Sequence, residues 1–319
     1  MKKTIPILVV IVALVVIIAN RGTQEKEEQA LEDSVPTIVV ADAKTTHHLN
    51  LYVAQELGLF EKHGVSVEIV DVLDLNAARD LVISGQADIF WSCPTVAIAA
   101  VANGAPMKII SQVKKPCTSV LLVDPDSPIQ TVSDLDEKSI AGISPTCEAI
   151  ISLTVAAREE GVGFNLERLA GGPALAALES GSVDAAILEE PHASIAELRG
   201  YNILFQEVSA NIPCRTINAR NAFLQNNSDA AKALIAAVEE ANRIILEDPV
   251  AENIVDIAVE YTESPRDAII NGNNRLLFQT EIDQEGLSFL ADELIGLGNI
   301  RSNPGTDLYA QEFKGITWN

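Results

Sequence analysis

From Pro36 onward the apolar positions of the chain switch between two periods, and each switch marks an element. The β-branched run TIVVA at 37–41 predicts a strand. Leu51, Ala54, Leu57 and Phe60 then fall at helical spacing inside a predicted helix over 49–63, which ends at Gly64, a residue suited to the left-handed conformation that closes helices. Alternation returns over 66–72, a helix over 75–84 is closed by Gly85, and 87–91 is a buried strand. A helix over 95–103 closed by Gly104 and a strand over 107–113 complete the run. Strands alternating with helices in this way predict an α/β architecture with a largely parallel sheet.

The order then repeats. LYVAQELGLFEKHGVSVEIV, a helix and SGQADIF in the first unit are matched by LTVAAREEGVGFNLERL, a helix and SGSVDAAI in the second. In both, a helix ends at Ser-Gly-x-x-Asp, at 84–88 and at 180–184, ahead of a buried strand. Such self-similarity is the mark of two lobes of like construction.

Composition and charge narrow the function. With 319 residues, 48% of them hydrophobic, the chain can bury one or two substantial cores. Its formal net charge of -23 excludes DNA and RNA as partners, because a phosphate backbone must be met by clustered Lys and Arg. Ahead of the periodic region, Lys2 and Lys3 precede an uncharged apolar run from Thr4 to Asn20, the form of an export segment. Ile17-Ile18-Ala19 is a poor cleavage site, so residues 1–20 are expected to stay as a membrane anchor, with the two lysines cytoplasmic and everything beyond outside. Residues 21–36 are a charged linker. No G-x-S-x-G, H-E-x-x-H or G-x-x-x-x-G-K-[ST] motif supports a hydrolase, metalloprotease or nucleotide-binding reading.

LYVAQELGLFEKHG at 51–64, VEIV at 67–70 and LVISGQADI at 81–89 resemble the extracytoplasmic solute-binding proteins of ABC importers, in the nitrate, sulfonate, taurine and thiamine-precursor group. The resemblance implies a two-lobed, type II periplasmic-binding-protein-like α/β fold, with ligand held between lobes joined by two crossing strands. Segments 119–123 and 216–224 are the expected crossings. Lobe one is then 37–122 plus 219–319, with a helical tail from Ser228 packing on it, and lobe two is 123–218. The expected partners are an ABC permease and its ATPase, the expected state a monomer, and the expected location extracytoplasmic. The same family includes pyrimidine-precursor synthases that use an active-site histidine and iron, so an enzyme is a lesser alternative, as is a tethered sensor domain.

Ligands of open α/β sheets bind beyond the carboxyl ends of the strands. In this chain those ends carry Thr45-Thr-His-His48, Ser92-Cys-Pro-Thr95, Ser144-Pro-Thr-Cys-Glu148 and Glu189-Glu-Pro-His192, each leading into a helix whose N-terminus welcomes an anion. The candidate ligand-binding residues are His47, His48, Cys93, Cys117, Cys147, Glu189, His192, Cys214 and Arg215, with Glu190 and Glu148 beside them as ligands or helix-terminal carboxylates. His63 is expected to cap a helix, Trp91 to lie in the core, and Lys114 and Lys115 to be solvated. The cysteines admit several roles: buried small hydrophobes, two disulfides in any of three pairings, or thiolate ligands. With no C-x-x-C, topology carries the metal reading. Cys93, Cys117, Cys147 and Cys214 all fall at crevice-facing positions and are expected to hold zinc, copper(I) or, as preferred cargo, an iron-sulfur cluster. The alternative cargo is a small anion such as a sulfonate or nitrate, or a thiamine precursor, with the cysteines structural. No catalytic cofactor is expected.

Overall fold

The computed structural model describes residues 35–205 and 212–313. The apolar run at 1–20 and the linker as far as residue 34 lie outside them, and no helix among the described residues is long and apolar enough to cross a membrane. The chain runs through β1 (Thr37–Asp42), α1 (Leu49–Glu56), α2 (Leu59–Lys62), β2 (Ser66–Asp71), α3 (Leu75–Ser84), β3 (Ile89–Ser92), α4 (Pro94–Ala102) and β4 (Met107–Lys114). It continues as β5 (Val120–Val123), β6 (Ser139–Gly142), α5 (Glu148–Glu159), β7 (Asn165–Arg168), α6 (Gly171–Glu179), β8 (Ala185–Leu188), α7 (His192–Leu198) and β9 (Asn202–Phe205). It returns through β10 (Arg215–Arg220) to α8 (Asn221–Glu247), α9 (Glu252–Thr262), α10 (Arg266–Gly272) and α11 (Gln284–Gly296). The helix expected over 49–63 is two helices, because Gly58 adopts a left-handed φ of 63° and turns the chain between them.

The strands form two sheets of matching order, β2-β1-β3-β10-β4 and β7-β6-β8-β5-β9. In each, four strands point the same way and a strand from the other side of a lobe crossing enters antiparallel: β10 between β3 and β4, β5 between β8 and β9. The repeated Ser-Gly-x-x-Asp has one job in both. Asp88 accepts from the Val39 amide and Asp184 from the Ser139 amide, pinning the start of the third parallel strand to the first. Gly85 and Gly181 take φ of 79° and 66°, which lets each helix turn sharply into that strand.

The exchanges between lobes fall earlier than the sequence pattern suggests. Segment 119–123 is not a crossing, since β5 pairs wholly within the second sheet, and 216–220 pairs wholly within the first. The chain crosses at 115–119 and again between β9 and β10, which moves lobe two to about 115–214 in place of 123–218. Pro116 and Pro213 mark these passages, because a residue without an N–H cannot extend a ladder. Helical structure resumes at Asn221, but Asn227 breaks it with a non-helical φ of -136° and ψ of 33°, so the long helix of the tail starts at Ser228 as the sequence suggests.

Both faces of each sheet are apolar, as strands covered by helices on two sides require. Ile38 and Val40 face Leu234, Val238 and Ala241 of α8, while Ala41 and Phe90 face Ala78 and Val82 of α3. In lobe two, Ile140 and Leu121 pack on Ile150 and Leu153 of α5, and Ala141 and Ala186 on Leu175 and Leu178 of α6. These layers aim the carboxyl ends of β1, β3, β6 and β8 at the space between lobes.

Candidate functional site

A cleft of about 610 Å³ lies at those strand ends, and the loops after all four strands line it. Lobe one contributes Thr45, Cys93, Thr95 and Arg215, and lobe two Ser144, Thr146, Cys147, Glu189, Glu190 and His192. A second hollow of about 330 Å³ runs between α5 and α11, but its walls are mainly apolar, including Ile150, Ala157, Phe164 and Leu166. Titratable groups therefore concentrate in the interlobe cleft.

Cys93 and Cys147 occupy equivalent places in the two lobes. Each is the residue capping the N-terminus of a helix, α4 and α5, and neither thiol makes a side-chain capping hydrogen bond. Ser, Thr, Asp or Asn at that position would accept from a first-turn amide. Sulfur is a weak acceptor, and although the Ala149 amide reaches the Cys147 sulfur, the positive ends of both helices still face the cleft.

Arg215, on β10, is the hub. Its guanidinium is 3% exposed. Nη1 donates to the Cys93 sulfur at 3.0 Å, to Glu148 Oε1 at 3.2 Å and to the Cys214 carbonyl at 3.1 Å. Nη2 donates to both oxygens of Glu189, at 3.1 and 2.9 Å. Because Cys93 belongs to lobe one and both glutamates to lobe two, one side chain fastens the lobes across the cleft floor. Burial opposes the guanidinium charge, but Cys93, Glu189, Cys214 and Glu148 outweigh it and hold its pKa well above the ordinary value.

Burial governs the neighbours. It pushes Glu148 up to about 8, against the pull of Arg215. It raises the Cys93, Cys147 and Cys214 thiols well above the usual range. Cys117 moves the other way because its sulfur accepts a hydrogen bond from Cys214. None of the four cysteines forms a disulfide. Burial also lowers His192, with the Glu189 charge opposing, and drives His47 well below its usual value, helped by Lys114 and Arg215.

The residues singled out in the sequence separate into two layers. Cys93, Cys147, Glu189, His192 and Arg215 line the cleft. Cys117 and Cys214 lie behind it, fully buried, with the Cys214 sulfur 3.6 Å from both His47 Nδ1 and Arg215 Nη1. His47 and His48 are fully buried and do not line the cleft. His48 Nδ1 lies 2.5 Å from Asp42 Oδ1, so that nitrogen carries the hydrogen, and the Asp42 carboxylate also accepts from Tyr52 at 2.6 Å. Tyr52 in turn accepts from the Thr45 amide, which makes His48 part of the scaffold for the first cleft loop. The four sulfurs do not surround an open centre, since the Arg215 guanidinium stands between Cys93 and Cys214. Lys114 is not solvated: it is fully buried, and its Nζ donates to Thr118 at 3.0 Å. Trp91 is buried, and His63 pairs with Glu240 at 2.9 Å.

One feature had no local signal. Arg275 reaches from lobe one to pair with Glu190 and Glu197 and to donate to Ser194 Oγ, while Thr46 Oγ1 donates to the Glu190 carbonyl. This clasp joins residues 85 apart in the chain, beyond the reach of any motif.

Two sheets of like order, exchanging chain twice and meeting over a charged cleft, define a periplasmic-binding-protein-like fold. The periplasmic aliphatic sulphonate binding protein SsuA from Escherichia coli shares it with a TM-score of 0.79 and 20% identity, over 87% of this chain and 93% of that one. The periplasmic nitrate-binding protein NrtA from Synechocystis PCC 6803 does so with a TM-score of 0.68 and 16% identity, over 89% and 85%. The chain belongs to the NMT1/THI5 like family, whose family model matches residues 45–252. A curated relative, the 4-amino-5-hydroxymethyl-2-methylpyrimidine phosphate synthase of Uromyces fabae, is 33% identical over 81 residues, which is 25% of this chain. The match spans about a quarter, 24%, of that relative's length.

Proposed function

We propose that the protein is the solute-binding component of an ABC importer, acting outside the cytoplasm and delivering a small organic anion of the sulfonate class to a permease and its ATPase. Arg215 carries this reading: a permanent cation on the cleft floor, reachable between the N-termini of α4 and α5. An anion entering the cleft takes over the Nη2 hydrogen bonds that Glu189 now accepts, and its remaining oxygens accept from the first-turn amides. A cleft of about 610 Å³ is far larger than a bare nitrate needs and fits an organic anion. The location rests on the periplasmic binding proteins that share the fold and on the apolar run at 1–20, which supports export and tethering. An iron-sulfur cargo fits less well, because the guanidinium between Cys93 and Cys214 occupies the centre that four thiolates would have to share.

The test is calorimetric titration of the protein with alkanesulfonates, nitrate and an aminopyrimidine. Saturable sulfonate binding that Arg215→Met abolishes supports the reading, and binding of the pyrimidine alone overturns it. The partial match to a pyrimidine phosphate synthase gives a second reading, as an enzyme of pyrimidine synthesis. The histidines that this reading drew on, His47 and His48, lie behind the cleft wall. Release of a phosphorylated pyrimidine by the purified protein would favour it.

A further inference from the structure

Behind the cleft wall the two lobe crossings bring together a group distinct from the solute contacts. Cys117 follows the first crossing proline by one residue and Cys214 follows Pro213, and the crossings pair there through Cys117 N–H to Ile212 O at 2.9 Å and Cys214 N–H to Lys114 O at 3.1 Å. The Cys117 and Cys214 sulfurs and one carboxylate oxygen of Glu148 all lie within 4.8 Å of one another, and all three residues are fully buried. Glu148 Oε1 accepts from Arg215, while Oε2 is buried with no hydrogen-bond partner. An orphaned carboxylate oxygen in a protein interior is costly, and an ion that completes its coordination removes that cost.

We propose that Cys117, Cys214 and Glu148 form a binding site for one thiophilic divalent cation of the zinc class. Two sulfurs and a carboxylate suit such an ion, and three protein donors are the number found where zinc keeps one position open. Zinc–sulfur bonds of about 2.3 Å and zinc–oxygen bonds of about 2.1 Å set tetrahedral edges of about 3.5 to 3.8 Å. The group, with edges no longer than 4.8 Å, closes to those edges by shifts of about 1 Å. Binding exchanges the protons of two thiols and one carboxyl for the ion, so a divalent cation with three anionic donors leaves a net charge of about -1. Arg215, 3.2 Å from Glu148 and 3.6 Å from the Cys214 sulfur, balances it. The site therefore accommodates the guanidinium that excludes a four-thiolate cluster. Cys117 keeps its hydrogen bonds to Ser119 and Cys214 until the ion displaces the latter.

The site does not depend on the solute-binding reading, so its test needs no solute. The reduced, metal-free full-length chain is titrated with zinc chloride, and with cobalt(II) chloride as a spectroscopic probe. One equivalent should bind, and a thiolate-to-cobalt charge-transfer band should rise. Cys117→Ser and Cys214→Ser should each remove the band, and Glu148→Gln, which keeps the Arg215 acceptor, should weaken cobalt binding at least ten-fold. Circular dichroism of each variant establishes that it is folded. Two results overturn the proposal: no charge-transfer band in the folded wild-type chain, or a band lost equally in Cys93→Ser and Cys147→Ser.

Discussion

Replacing Glu189 with Ala should strengthen anion capture. Glu189 holds the Nη2 edge of Arg215 with both carboxylate oxygens, so a captured anion must first break that bond. A hydrogen bond to a charged group contributes about 1.5 to 3 kcal/mol net. If the anion no longer has to displace it, affinity rises by about ten- to hundred-fold at 1.4 kcal/mol per decade. The same change breaks a buried ion pair, so stability should fall by about 3 kcal/mol, the lower end of the range, because the Glu189 side chain is 15% exposed and its loss leaves Arg215 with Glu148. Calorimetric titration with an alkanesulfonate, well below the melting temperature and at fixed ionic strength, measures the first effect, and urea unfolding the second. Unchanged affinity would refute the displacement argument. Weaker binding would refute it more sharply, because Glu189 would then be touching a cationic part of the solute.

Arg215→Lys should lower anion affinity at least ten-fold in the same titration although the charge is kept, because one ammonium cannot span both Cys93 and Glu189. Since burial lowers the His192 pKa below its ordinary 6.5, the ring is neutral at pH 7.5 and gains its proton only in acid. Anion affinity should therefore rise as pH falls from about 7.5 to 5.5, and His192→Asn should flatten the profile. The same lowered pKa means that His192 contributes stability above pH 6.5 that is lost as pH falls below it, which thermal melts across that range would show. Gly272→Ala places a Cβ 2.5 Å from Glu190 Oε2 and 2.9 Å from Ser194 Oγ, so the clasp must part. We expect a loss of about 1 to 3 kcal/mol and a larger radius of gyration by small-angle scattering, and an unchanged radius would count against the clasp as an interlobe fastener.

The lobes and the lining of the cleft were legible because they follow from local rules. Glycine-closed helices fixed α3 to the residue, the repeated Ser-Gly-x-x-Asp gave the like order of the two sheets, and the strand-end rule found Cys93, Cys147, Glu189 and His192. The crossings were misplaced because a β-branched run shows that a strand exists and not which sheet will pair with it. Lys114 and the histidine pair were misjudged for a related reason: His47, His48 and Lys114 owe their burial to segments distant in sequence that close over them. The Arg275 clasp, like the guanidinium between two thiols, exists only once the lobes have met.

The placement of β10 between β3 and β4 has a consequence for how the chain acquires its shape. Lobe two is one continuous stretch, so its sheet can close as soon as β9 has been made. Lobe one cannot finish then, since β3 and β4 have no hydrogen-bonded link until residues 215–220 arrive between them, more than a hundred positions after β4. Pairings so far apart in sequence form late, which leaves the edges of β3 and β4 unpaired for the longest time during synthesis. The last strand to arrive is also the one that brings Arg215, so the cleft gains its cation in the same event that completes the first sheet. A chain stalled before residue 215 should hold a closed second lobe and an open first one, and should not bind anions.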